Sequence, residues 1–338
     1  MHGLRRWSIG WSLLLLSAAL GAQSAVQHTL STHYVTGENF MSVGLRGALH
    51  LPYTTVDGLA LVELSGLAWD EDEQLLYALS DHGRVFVFRP RLEDGHLIDV
   101  EIAGGFALLD EHGRPLQGSH ADAEGLAALN HNNQRHGDTE LLVSFERMPR
   151  VVKFDTVGRP SETFTLPYQL STRYQGSNKG FESVTGTSEG AILTAPEWPL
   201  PDVSAESTWI YALDGRRWAF PRFPAPRSSV VAIESMPDGS LITLERSFVS
   251  IWQPLQIALR QTEPLAASGQ SLSIARELAI FNSFDGWQID NFEGLTRHGE
   301  DHLFVASDDN ESWPQKTLLI YLELLDEPTA NQPIERVR

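Results

Sequence analysis

Acidic residues recur at the two ends of a repeated unit. One copy opens with Glu124-Gly125-Leu126 and closes with Ser144-Phe145-Glu146-Arg147. In three others, Phe181-Glu182-Ser183-Val184 is closed by Pro196-Glu197-Trp198, Ile233-Glu234-Ser235-Met236 by Glu245-Arg246, and Phe292-Glu293-Gly294-Leu295 by Ser307-Asp308-Asp309-Asn310. The earliest copy carries Ser65 where the others carry the first Glu, and closes with Ser80-Asp81-His82. Carboxylates gathered in one place repel one another, so they must be protonated, paired with arginine or neutralised by a cation. Calcium takes six to eight oxygen ligands and suits such a set. Glu124, Glu182, Glu234, Glu293, Asp81 and Asp308 are the candidate ligands, with Asn178, Asn291 and Asn310 beside them. Arg147 and Arg246 each follow a closing acid and are placed to stabilise developing negative charge. Glu182, Glu293 and His82 supply candidates for proton transfer near neutral pH.

These acids meet only if the elements that carry them bring them together. Each copy is two short β-type runs joined by a polar turn (DEDEQ, GTSEG, PDGS, RHGED), which marks a hairpin. In an antiparallel pair, the start of one strand and the end of the next share one end. The opening and closing acids of a copy therefore share a rim. Counted from Leu67, Leu126, Val184, Met236 and Leu295, the copies recur every 52 to 59 residues, the period of a four-stranded propeller blade. Third strands follow at Val85–Phe88, Val151–Phe154, Trp209–Leu213 and Thr317–Leu324. Such a sheet cannot bury both its faces alone, and radial packing around an axis solves this. The expectation is an all-β protein: a β-propeller of five readable blades, with room for a sixth between Phe248 and Asp290, closed by the N-terminal run Phe40–Leu51. Leu255–Gln261 is the nearest thing to a helix, and it is short.

Composition sets the limits. The chain has 338 residues, 42% of them hydrophobic, and a formal net charge of −19. That charge argues against a nucleic-acid partner, which needs a basic footprint. With no cysteine, disulfides, thiol catalysis and thiolate metal sites are excluded. Arg5 and Arg6 ahead of the apolar run Trp11–Leu20, with small residues at Ala22-Gln23-Ser24, read as a signal peptide over residues 1–24, followed by one domain over 25–338. A periplasmic or secreted protein follows, with no membrane span in the mature chain. No Gly-x-Ser-x-Gly elbow, phosphate-binding loop or HExxH helix is present.

The strings ALSDHGRVFVF, NKGFES, DNFEGL, SFERMPRV, TLERSF and SDDN resemble the phytase-like family, also called "esterase-like activity of phytase", from about Ser65 to Leu324. The resemblance implies an exported propeller that hydrolyses a phosphoester or a related ester. It would carry function onto Asp81, Glu124, Glu146, Arg147, Glu182, Glu234, Glu245, Arg246, Glu293 and Asp308. Two functions fit these readings. One is a calcium-dependent hydrolase of a small anionic ester. The other is a non-catalytic binding propeller whose acids hold a structural calcium or pair with arginines.

Overall fold

The computed structural model describes residues 25–168, 170, 180–201, 203–266, 275–312 and 314–326. The expected signal peptide and Asn178 lie outside the described residues. Four four-stranded antiparallel sheets and one six-stranded sheet, whose two extra strands are the short Val26–Gln27 and Asn39–Phe40, close into a five-bladed β-propeller. Blade 1 comprises Leu64–Asp70, Leu75–Ser80, Arg84–Glu93 and His96–Ala107. Blade 2 comprises Ala123–Leu129, Glu140–Phe145, Arg150–Asp155 and Pro160–Thr163. Blade 3 comprises Phe181–Gly186, Ile192–Pro196, Ser207–Ala212 and Arg217–Pro221. Blade 4 comprises Ser229–Ser235, Leu241–Ser247, Gln256–Thr262 and Ala275–Asn282. Blade 5 takes Asn291–His298, His302–Asp308 and Thr317–Leu324 from the C-terminal part and Val43–Leu51 from the N-terminal part.

The first strand of each blade is the innermost, and these five strands contact one another in the ring order 1-2-3-4-5-1. The stretch from Phe248 to Asp290 holds the outer strands of blade 4 rather than a sixth blade. Leu255–Gln261 falls almost wholly in an extended strand. Closure follows expectation: Thr317 pairs with Leu51 and Leu324 with Val43, in an antiparallel ladder joining the two ends of the domain. Among the described residues, no helix is long and apolar enough to cross a membrane.

Middle strands such as LLYALS in blade 1 and ELLVSF in blade 2 are buried along almost their whole length, because each blade is covered on both faces. Each interface has its own apolar cluster. Phe304 and Tyr321 of blade 5 pack with Leu76 and Phe86 of blade 1, and Leu142 and Val151 of blade 2 pack with Phe181 and Tyr211 of blade 3. At the axis the inner strands approach so closely that a side chain is excluded at some positions. A Cβ at Gly125 would sit 2.6 Å from the Val184 nitrogen of the next blade, and one at Gly66 would sit 2.9 Å from the Leu126 nitrogen.

A buried ion pair fastens blade 3 to blade 4. Arg260 Nη1 donates to Glu245 Oε1 at 2.7 Å and to the Pro221 carbonyl at 2.9 Å, while Glu245 Oε2 accepts the Phe223 N–H at 2.9 Å. The Glu245 side chain is 0% exposed and that of Arg260 5%. Glu245→Ala strands a buried guanidinium and should cost about 3–5 kcal/mol in urea unfolding, whereas Glu245→Ala with Arg260→Met should recover most of that loss. Equal stability of the two variants would contradict this account.

Candidate functional site

Each inner strand opens with a one-residue bulge, which re-aims the bulged side chain. The residues skipped by the pairing register are Ser65, Glu124, Glu182, Val231 and Glu293. Across the hairpin, one position further along the second strand, lie Asp81, Glu146, Glu197, Arg246 and Asp308. These two tiers form one rim, and the candidates Asp81, Glu124, Glu182, Arg246, Glu293 and Asp308 meet there.

Glu234 does not meet them, which corrects the sequence expectation. The string Ile233-Glu234-Ser235-Met236 imitates the motif but lies three residues past the bulge, and Glu234 pairs with Ile242 beside the opposite turn. There it accepts the Arg297 backbone N–H of blade 5. Thr185 does the same for the Ser235 N–H at 3.2 Å, and Thr296 for the Trp69 N–H at 3.1 Å. Glu234 is therefore a blade-to-blade clamp. Burial outweighs the nearby Arg297 charge and raises its pKa to about 7. The same shift of register turns Glu245 into the sheet and gives its rim position to Arg246.

A third tier lies two residues before each bulge: Glu63, Asp122, Gly180, Ser229 and Asn291. Glu63 restores to blade 1 the carboxylate that Ser65 lacks. It holds an unusual positive φ of 51° and sits 2.6 Å from His82 Nε2. His82 Nδ1 lies 3.7 Å from Asp81 Oδ1. Asp122 accepts the Arg147 backbone N–H at 3.1 Å, with the Arg147 Nε 3.3 Å away. Asn291 donates to Glu293 at 2.9 Å and to Asp308 at 3.0 Å, and accepts from Arg246. Arg246 Nη1 lies 2.6 Å from Glu293, and its Nη2 lies 3.7 Å from Glu197. The Asn310 N–H caps Asp308 at 2.6 Å. Glu63 and Asp122 escaped the motif reading, although their shared offset from Ser65 and Glu124 was the available signal.

Among the described residues, nine carboxylates occupy the three tiers, against Arg246 and Arg147. Burial, reinforced by Glu63 and Asp308, pushes Asp81 up to about 8. Burial and then Glu293 push Asp308 up to about 8, and burial with Asp122 and Glu197 lifts Glu146 to about 7. Burial, then Glu293 and Glu146, raise Glu124 well above the usual carboxylate range, and burial, then Glu124 and Glu197, do the same for Glu182. Glu293 is raised less, because Arg246 and Asn291 oppose its burial. Ligand atoms of Asp122, Glu124 and Glu146 all lie within 4.8 Å of one another, and so do those of Glu63, His82 and Glu311. Asp81 Oδ1 is buried without a hydrogen-bond donor. The Asp122, Glu124 and Glu146 group offers oxygen donors throughout and fits a hard cation such as calcium. Beneath the rim the axis is apolar, lined by Leu67, Leu126, Val184, Ile233 and Leu295.

A family profile described as "Phytase-like: Esterase-like activity of phytase" matches residues 60–311. The chain belongs to the phytase-like family. The matched span covers the rim positions of all five blades of this phytase-like propeller. No curated protein matches the sequence. Among solved structures, the chain is similar to a gluconolactonase, XC5397 from Xanthomonas campestris, at 16% identity and a TM-score of 0.36, covering 82% of this chain and 89% of that one. It is also similar to the PQQ-bound aldose sugar dehydrogenase of Streptomyces coelicolor, at 12% identity and a TM-score of 0.41, covering 82% and 97%.

Two predictions follow from the geometry of the phytase-like rim. Glu234→Ala removes one inter-blade hydrogen bond and should cost about 1 kcal/mol in thermal or urea melts. Metal content should not change, and a loss of bound metal would return Glu234 to the rim. The second concerns pH. Asp81, Asp308 and Glu146 keep their protons to about 7–8 in the folded, metal-free protein, but release them near 3.8–4.5 when unfolded. The folded state binds more protons across that interval, so its stability should fall as pH rises through it. Melting temperatures in EDTA should drop from about pH 5 to about pH 8. Added calcium should stabilise most at the upper end, and a flat EDTA profile would refute the buried, uncompensated rim.

Proposed function

We propose that the chain is an exported, calcium-dependent ester hydrolase whose active site is the propeller mouth. The observation that carries this reading is the convergence of nine part-buried carboxylates on one arginine-bearing rim, an arrangement that needs either protons or a cation. Asp122, Glu124 and Glu146 are the group best placed to hold calcium, with Asp81, Glu182, Glu293 and Asp308 in the surrounding tiers. A calcium bound there supplies Lewis-acid polarisation of an ester oxygen.

The remaining roles belong to the chain's own side chains. Arg246 remains charged: burial opposes this, but Glu293, Glu182 and Glu197 together outweigh it. Its guanidinium can donate to the oxygen on which negative charge develops. Glu182, whose pKa is raised by burial and then by Glu124, can deliver a proton to a leaving group, while Glu293 fixes the Arg246 fork. His82, half-exposed and held by Glu63, can pass a proton between the mouth and solvent. Arg147 stands at the outer edge on Asp122, where it can meet an incoming anion. Export rests on the charged and apolar pattern of residues 1–24.

Metal analysis of the purified protein should find calcium, and EDTA should lower both its melting temperature and its activity on small aryl and alkyl esters. Glu124→Gln and Glu182→Gln should each reduce kcat/KM by about a hundredfold or more while the fold is kept. If bound calcium is found without turnover of acyl esters, lactones or phosphoesters, the mouth is a calcium-stabilised binding site instead. Full activity in both variants would move the active site elsewhere.

A further inference from the structure

Exposed apolar side chains are most numerous on the two segments that leave blade 4 at the mouth, with Tyr53, Met148 and Tyr168 exposed singly elsewhere on that side. The second strand of blade 4 ends at Ser247, directly after Arg246, and its partner strand begins at Gln256. The intervening loop therefore rises from the rim. On it Phe248 is 50%, Ile251 77% and Trp252 82% exposed. The link from blade 4 to blade 5 emerges on the same rim, and there Phe284 is 65% exposed. The two segments are tied together. The Leu255 N–H donates to Ser283 Oγ, and the Ser283 N–H donates to the Leu255 carbonyl, both at 3.0 Å. Within the loop the Trp252 N–H donates to Ser250 Oγ at 3.3 Å, so its backbone is fixed while the indole is left in water. Exposed large apolar groups gathered at the edge of a polar cleft mark a contact surface.

The position of this lip on the ring assigns its occupant. In the ring order, blade 4 neighbours blades 3 and 5 and lies across the axis from blades 1 and 2. Blades 1 and 2 supply Glu63, Asp81, Asp122, Glu124 and Glu146, whereas blade 4 supplies Val231, Arg246 and no rim carboxylate. Resting on the hydrolase reading above, we infer that the lip of Phe248, Ile251, Trp252 and Phe284 holds the hydrophobic end of the substrate. The substrate class is then an ester with an aryl or alkyl group and at most one negative charge. Its reacting oxygen faces the carboxylate side, and its apolar group lies over blade 4. A polyphosphorylated substrate does not suit this mouth, where nine carboxylates face Arg246 and Arg147. An anionic bilayer does not suit the lip, since Ser247–Gln256 contains no Lys or Arg and Asp285 stands beside Phe284.

The test uses the full-length mature protein with calcium, and compares wild type with Ile251→Ser/Trp252→Ser, whose sites are exposed and whose fold is checked by melting. Hydrolysis of methyl acetate and benzyl acetate is followed by pH-stat. Binding of 4-phenyl-2-butanone, the ketone isostere of benzyl acetate, is followed by calorimetry. Wild type should favour benzyl acetate, and the variant should lose about tenfold in kcat/KM on it while methyl acetate is unaffected. Ketone binding should weaken in parallel. Ketone binding by wild type but not by the variant, with no ester turned over, would keep the lip and remove the hydrolase reading. Equal turnover of both esters by both proteins would remove the lip and keep the hydrolase reading. Phytate hydrolysed faster than benzyl acetate would overturn the substrate class. Loss of phosphatidylcholine-vesicle binding or of self-association in the variant, with ketone binding unchanged, would overturn the assignment in favour of a bilayer or a second copy.

Discussion

Gathering carboxylates out of water is the constraint on which the mouth of this propeller depends. Each added acid raises the others, and burial raises them all, so Asp81, Glu124, Glu182 and Asp308 favour protons far above their ordinary range. A fold that tolerates this must hold the acids by elements that cannot relax apart. The inner strands meet that need. Their closest approaches, at Gly66 and Gly125, leave no room for a side chain, and the blades on either side are cemented by apolar clusters. The cost at the rim is thus offset by packing elsewhere.

The bulge is what converts the repeat into a site. Without it, the residue opening each inner strand would alternate with its neighbours between the two faces of the blade. With it, Glu124, Glu182 and Glu293 are displaced from the ladder, while Gly125, Ser183 and Gly294 take up the regular pairing. Below the bulge a different regularity holds. Thr185, Glu234 and Thr296 occupy one position three residues later and each accepts a backbone N–H from the next blade. One strand thus carries a chemical end and a structural end, and Glu residues serve at both.

That double use explains what could be read from the sequence and what could not. The blades were legible because strands buried on both faces leave unbroken apolar runs between polar turns, as in Leu75–Ser80 and His302–Asp308. The closing strand was legible for the same reason. The register of blade 4 was not, because Ile233-Glu234-Ser235 reads like Phe292-Glu293-Gly294, and only strand pairing shows that Val231 is the bulged residue. The error propagated to Glu245, which pairs with Arg260 inside the sheet. Glu63 was hidden because it compensates Ser65 from two residues away, on backbone with a positive φ that no motif records.

Once blade 4 is placed correctly, the departure of the ring from five-fold symmetry acquires a direction. Ser65 suggested blade 1 as the odd member, but Glu63 and Asp81 keep that blade acidic. Blade 4 is the odd one: with Val231, Ser229 and Arg246 at the three tiers, it places no carboxylate on the rim, whereas each other blade places at least two. An odd-numbered ring sets this blade opposite a pair of blades rather than opposite a single one. The blades it faces are 1 and 2, the two that carry a carboxylate in the third tier. Asp122, Glu124 and Glu146, the group that would hold a cation, therefore stand on a blade across the ring from Arg246. The mouth is lopsided as a result, with five of its nine carboxylates on blades 1 and 2 and Arg246 across the axis from them.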